Sequence, residues 1–170
     1  MEEKVFAIDF DERAVRVVRT LNLIAGDGQT NVLHLNTLDY ELWDEVTQQE
    51  EWDEIYHEGF KRLKRLRPKG SKDYREFRFD VLMANPPFAG DIKEPRMIAR
   101  YDLAKKPNGK WETKVGRDIL FIERNLDREG YDAHCRCIAA ESTQSRWNAA
   151  YPKGYRRTTG KHSGTVVAVV

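Results

Sequence analysis

Cysteine is nearly absent: Cys135 and Cys137 are the only two in 170 residues. They sit too close along one strand-like segment to cross-link it, which excludes a disulfide-stapled secreted fold and leaves both as reduced thiols. With His134 beside them they lack the second ligand pair of a usual zinc site, so packing is expected there rather than metal. Long hydrophobic runs are missing too. No stretch approaches the roughly 20 apolar residues of a spanning helix, and no signal-peptide pattern opens the chain. A cytoplasmic location without a membrane partner is the expectation. Charge of one sign is also lacking, since 29 Lys and Arg against 28 Asp and Glu leave a net +1. Overall charge therefore nominates no partner. No internal repeat occurs at solenoid spacing.

What the chain has in quantity is charge of both signs, 34% of its residues. The two signs are locally segregated. Residues 41–58 are mostly acidic, whereas Lys61, Arg62, Lys64, Arg65, Arg67, Lys69, Lys72, Arg75 and Arg78 form a basic run. That run suits either phosphates or a solvated helix end whose cations complement the helix dipole.

Hydrophobic periodicity predicts alternating strands and helices in one domain. Val5-Phe6-Ala7-Ile8 reads as a buried strand, followed by Ala14, Val15, Val17, Val18, Leu21 and Ile24 at helical spacing up to Gly26. A second strand is expected at Val32 to Leu35, then a helix with Trp52, Ile55, Tyr56, Phe60 and Leu63 on one face, leaving through Pro68, Gly70 and Ser71. Phe79 to Ala84 is the third strand. Ala89 to Lys114 reads as a long functional loop with one helical turn near Met97 to Leu103, before a helix that begins near Gly116-Arg117-Asp118. Further strands are expected at Ala133 to Ala140 and Thr165 to Val170. Such alternation indicates a parallel α/β sheet.

Ligands of a doubly wound sheet lie beyond the C-terminal ends of its strands, and three expected strands end in Asp9, Asn36 and Asn85. A carboxylate closing a strand can accept both hydroxyls of a ribose. That makes Asp9 the cofactor-ribose candidate, while Asp11, nearer the helix start, is the better cap. Asn36 suits an adenine contact or a turn.

Asn85-Pro86-Pro87-Phe88 follows the apolar run from Phe79 to Ala84 and resembles the catalytic tetrapeptide of amino-methyltransferases. The chemistry suits the residues. An exocyclic amine is a poor nucleophile because its lone pair is delocalised into the ring. Two acceptors on its hydrogens draw the nitrogen toward sp3, and the Asn85 Oδ1 and Pro86 carbonyl are the candidates. The prolines hold both rigidly, and Phe88 offers a face on which an extruded base can stack.

The likeness extends further. Residues 5–11 (VFAIDFD), 21–28 (LNLIAGDG), 85–93 (NPPFAGDIK) and 115–126 (VGRDILFIERNL) are similar to the DNA-methylating subunit of type I restriction-modification systems. This resemblance covers roughly residues 5–126, and 127–170 diverge. It implies a Rossmann-like, S-adenosylmethionine-dependent methyltransferase fold acting on adenine N6 in DNA. Its expected partners are DNA, a specificity subunit and a translocating endonuclease (restriction) subunit. Asn85, Pro86, Pro87 and Phe88 would form the catalytic motif, and Asp9 and Asn36 would contact S-adenosylmethionine. Gly90 and Asp91 continue the matching loop.

The chain departs from that family at its beginning. It opens at the family's second strand, so the first strand and its Gly-rich, donor-binding turn are absent, and Gly26-Asp27-Gly28 follows a helix instead. The missing strand would lie between those ending at Asp9 and Asn85. The expectation is therefore a partial catalytic domain, a fragment or truncated product, whose central gap is filled by another element, by altered pairing or by a longer protein. Two alternatives stay open: an N-methyltransferase of glutamine or an RNA base, and a non-enzymatic assembly module that keeps the fold.

Overall fold

The computed structural model describes residues 4–26, 28, 30–77, 79, 81–85, 90–125, 134–135 and 166–169. Strand β1 (Val5–Asp9) leads into helix α1 (Glu12–Ala25). The Asp11 side chain accepts the Arg13 N–H at 2.8 Å to cap that helix. Gly26 ends it with φ of 77°, a left-handed turn that costs glycine little, and its N–H reaches the Asn22 and Leu23 carbonyls. Strand β2 (Val32–His34), α2 (Trp43–Thr47) and α3 (Glu50–Lys64) follow.

Beyond α3 come β3 (Val81–Ala84), β4 (Asp91–Ile92), α4 (Pro95–Ile98), β5 (Val115–Gly116), α5 (Arg117–Asn125), β6 (His134–Cys135) and β7 (Val166–Val169). The rest of the strand expected over Ala133 to Ala140 lies outside the described residues.

Five strands form one parallel sheet in the order β2-β1-β7-β3-β6. The last strand in sequence lies in the middle. Phe6, Val167 and Leu82 are aligned across three strands, as are Ile8, Val169 and Ala84. The gap expected between β1 and β3 is thus closed from within the chain, and β7 satisfies the backbone groups of both neighbours.

One face of this sheet carries most of the core. Leu33 is aligned with Ile8, and α3 approaches so closely at Gly59 that a Cβ there would sit 1.9 Å from the Thr30 carbonyl oxygen and 2.9 Å from Leu33 Cδ2. Only glycine fits that crossing. Phe6, Ile8, Leu33, Leu82 and Ala84 are buried on this face. An aromatic cluster extends the core: Trp43, Trp52, Tyr56, Phe60, Tyr74 and Phe77 pack at centroid distances of 5.1–6.2 Å. Two indoles also pin the helices to the end of β2, with Trp43 Nε1 donating to the Asn36 carbonyl and Trp52 Nε1 to the His34 carbonyl, each at 2.8 Å.

Two apolar faces differ from expectation. Trp52, Tyr56, Phe60 and Leu63 are buried on α3, but Ile55 is 54% exposed. At about 100° per residue it lies roughly 95° from the centre of that stripe, outside it. On α1 only Val15 is fully buried, whereas Val17, Leu21 and Ile24 are 58–78% exposed. The helix packs on β1 and β2 through Val15 and Val18, and among the described residues no element covers its other flank.

The basic run divides. Lys61, Arg62 and Lys64 stand in the last turn of α3, where they complement the helix dipole. Lys64, Arg67 and Arg75 lie over the rings of Phe60, Tyr74 and Tyr40. No described helix is long and apolar enough to cross a membrane.

Candidate active site

From β1 the chain moves to β2 on one side, and from β3 it moves to β6 on the other, so the winding reverses between β1 and β3. Open α/β sheets bind ligands beyond the strand ends at such a reversal. Asp9 ends β1 and Asn85 directly follows β3 there, on opposite flanks of the β7 terminus. With neighbouring strands about 4.8 Å apart, their backbones are roughly 10 Å apart. At that separation Asp9 and Asn85 mark two distinct candidate positions along one sheet edge.

Around Asp9, local hydrogen bonding fixes the turn. Its Oδ1 accepts the Asp11 N–H at 2.8 Å, and Asp11 in turn caps α1, which gives the two acids different tasks. Phe10 between them is 66% exposed. Its ring stacks beside that of His34 at 6.3 Å, and His34 Nε2 lies 2.9 Å from the Phe10 carbonyl, which makes that nitrogen the protonated one. A carboxylate next to an exposed aromatic face suits a nucleoside, with hydroxyls for one and a planar base for the other. Phe10 carries no signal in the sequence, where it is one aromatic between two acids at a strand end.

Asn36 is built into the turn after β2. Its Oδ1 accepts the Leu38 N–H at 3.1 Å, and its carbonyl accepts from Asp39 N and Trp43 Nε1. The oxygen already serves the turn, and the Nδ2 donor is left for a ligand. Asn85 is exposed at its strand end. Pro86, Pro87 and Phe88 lie outside the described residues.

The chain then makes an ordered excursion. Asp91–Ile92 and Val115–Gly116 pair antiparallel and close it at the base, where the Arg117 N–H bonds the Gly90 carbonyl at 3.1 Å. Inside are α4 and a 3-10 turn at Asp102–Ala104, so the single helical turn expected near Met97 to Leu103 is resolved into two.

Three contacts fasten the excursion over the loop after β2, and a fourth ties it to α5. Arg96 grips Asp39 through two hydrogen bonds, at 2.8 and 2.6 Å, and Arg100 pairs with Glu41 at 2.5 Å. The Tyr101 hydroxyl donates to the Leu38 carbonyl at 2.7 Å, and Glu123 accepts the Asp102 and Leu103 N–H groups at 2.8 and 2.7 Å. Arg124 adds a brace, donating to the Thr37 carbonyl at 2.9 Å and to the Tyr74 carbonyl at 2.7 Å. Bidentate and charge-assisted bonds of this kind hold geometry as well as energy. Neither Glu123 nor Arg124 stood out in the sequence, where a Glu-Arg pair ending a helix looks like surface.

Burial raises the Glu123 carboxyl above its ordinary value, opposed by the Leu103 N–H and by Arg75. A carboxyl raised on folding binds its proton more tightly in the folded state. Its contribution therefore favours folding below the ordinary carboxylate range and fades as pH rises through the raised value. The Tm difference between the wild type and Glu123→Gln is expected to move in favour of the wild type between about pH 7 and about pH 4. A difference that does not vary with pH would contradict this.

Beside the excursion is an open cavity of about 620 Å³ lined by Tyr40, Glu41, Asp44, Lys72, Tyr74 and Arg100, among others. Its charges are largely matched internally, Arg100 with Glu41 and the Tyr74 hydroxyl with Asp44. It concentrates no single sign of charge. Among the described residues no three potential metal ligands converge. No family model, curated protein or solved structure matches this chain.

Proposed function

We propose that the chain is part of the catalytic domain of an adenine-N6 DNA methyltransferase that uses S-adenosylmethionine, the modification subunit of a type I restriction-modification system. On this reading the fold is Rossmann-like, with β7 in the slot of the family's first strand. The chain works in the cytoplasm with DNA, a specificity subunit and a restriction subunit. The observation that carries it is the pairing, across one strand end, of Asp9 beside exposed Phe10 with Asn85 at the head of Asn-Pro-Pro-Phe.

The described residues fit the nucleoside half of the cofactor. Asp9 accepts ribose hydroxyls, Phe10 offers its face to the adenine, and Asn36 keeps an Nδ2 donor for a ring nitrogen. When bound, the cofactor supplies an electrophilic methyl group. Asn85 Oδ1 and the Pro86 carbonyl accept hydrogens from the target amine and localise its lone pair, and Phe88 stacks on the base. No covalent intermediate is needed, so rate enhancement rests on positioning and acceptor alignment.

The test is methyl transfer from labelled S-adenosylmethionine to adenine-containing DNA, run beside RNA and protein substrates. Label in N6-methyladenine of DNA is expected. Label in RNA or glutamine, or none at all, overturns this assignment. A specific feature favours the second reading, a non-enzymatic module: the turns leaving β1, β2 and β3 begin Phe10-Asp11, Leu35-Asn36 and Asn85-Pro86, and none is Gly-rich.

A further inference from the structure

The excursion between β4 and β5 ends in a tight turn that holds an exposed indole among lysines. Lys105 and Trp111 face each other as a bridge, the Lys106 N–H bonds the Lys110 carbonyl at 2.8 Å, and the Gly109 N–H returns to the Lys106 carbonyl at 2.9 Å. Asn108 Oδ1 accepts the Lys110 N–H at 3.1 Å, and Gly109 supplies the positive φ of 79° that the turn needs. Below the tip, the Glu112 N–H bonds the Ala104 carbonyl, and Ala104 is fully buried. The tip is thus a rigid display.

Three tryptophans fall among the described residues. Trp43 and Trp52 are buried with each indole N–H on a carbonyl, whereas Trp111 is 37% exposed and its N–H has no acceptor among the described residues. Lys105 lies 4.6 Å from the Trp111 ring centroid, and Lys106 and Lys110 complete the cluster. The bland explanation is a solvated hairpin, because Lys105 pairs with Asp102 at 2.8 Å and Lys106 with Glu112 at 3.4 Å. Those pairs are exposed, however, and exposed ion pairs are weak enough for a phosphate to displace the acid.

We infer that the 105–111 turn is a contact for an unpaired stretch of nucleic acid, with Trp111 stacking on one base and Lys106 and Lys110 meeting the flanking phosphates. Stacking requires a base whose faces are open, which a duplex interior does not offer. The inference rests on the proposed function only for the polymer being DNA. An indole and two ammonium groups would take single-stranded RNA by the same chemistry.

Fluorescence anisotropy with labelled single-stranded DNA and RNA oligonucleotides, over a series of salt concentrations, tests it. Trp111→Ala is expected to weaken binding about 10-fold or more, with Trp111→Phe close to the wild type. The double variant Lys106→Ala, Lys110→Ala is expected to reduce the slope of log K against log salt by about 1.4. Circular dichroism and Tm matching the wild type confirm that the variants fold, and the lysine variant stands as an independent arm if Trp111→Ala does not. Absence of binding to either polymer, or binding indifferent to both sets of changes, overturns the inference. The two readings fail separately. Binding that depends on Trp111, without methyl transfer, keeps the contact and sinks the enzyme, while methyl transfer with unchanged binding does the reverse.

Discussion

Asn85→Ala is expected to lower methyl transfer to adenine by about 10²–10³-fold while leaving affinity for S-adenosylmethionine within about twofold. The split follows from geometry. Asn85 stands roughly 10 Å of backbone away from Asp9, across the end of β7, so on the proposed reading its amide meets the target amine and not the ribose. On that reading, removing one acceptor from the amine would leave the lone pair in the ring at the moment of transfer, a loss felt in kcat. Radiometric turnover beside a calorimetric Kd reads both quantities. Retained turnover, or a parallel loss of cofactor affinity, would contradict the assignment.

Val167→Pro is expected to cost about 3 kcal/mol or more, and to lower Tm by roughly 6–12 °C for a chain of this size. Residue 167 is in the middle strand, aligned with Phe6 on one side and Leu82 on the other. Proline there removes a ladder donor and leaves a partner carbonyl unpaired, and central strands exclude it for that reason. Val167→Thr keeps the backbone donor and serves as the control. If Val167→Pro melts with the wild type, β7 does not hold the centre of the sheet.

The second result matters for function because the reversal point exists only if β1 and β3 are joined. With β7 between them, Asp9 and Asn85 share one edge. Without it they would belong to two separate pieces of sheet, β2-β1 and β3-β6.

Much of the local structure was legible in the residues. Asp11 and Gly26 bracket α1 because a capping carboxylate and a left-handed glycine are local devices, read without knowledge of the fold. The helix after Gly116 begins at Arg117, and the strands ending near Asp9, Asn36 and Asn85 are where apolar runs meet polar turns. Long-range pairing was not legible. Periodicity marks residues 165–170 as a strand but carries no information on which neighbours it joins, so its central place came only with the structure. The same holds for Arg96 with Asp39, for Arg124 with Thr37, and for Glu123 with the Asp102 and Leu103 amides. Each is a charged residue that composition assigns to the surface and whose partner is set by tertiary contact.

The exposed flank of α1 shows the opposite failure. Val17, Leu21 and Ile24 have the spacing of a core stripe, yet α1 meets β1 and β2 through a neighbouring stripe that contains Val15 and Val18. Spacing identifies an apolar face but does not say what packs on it. At the candidate site the two ends of the problem were unequal: Asp9 and Asn85 were legible as strand ends, whereas Phe10 needed its exposure to be seen.

On the proposed reading, the sheet edge at Asp9 holds a nucleoside cofactor for transfer at Asn85. Calorimetric titration of the full chain with S-adenosylmethionine, run with the wild type and Asp9→Ala, tests it most directly. Saturable one-site binding by the wild type, lost in Asp9→Ala, is expected. No binding by the wild type, or equal binding by both proteins, would contradict it.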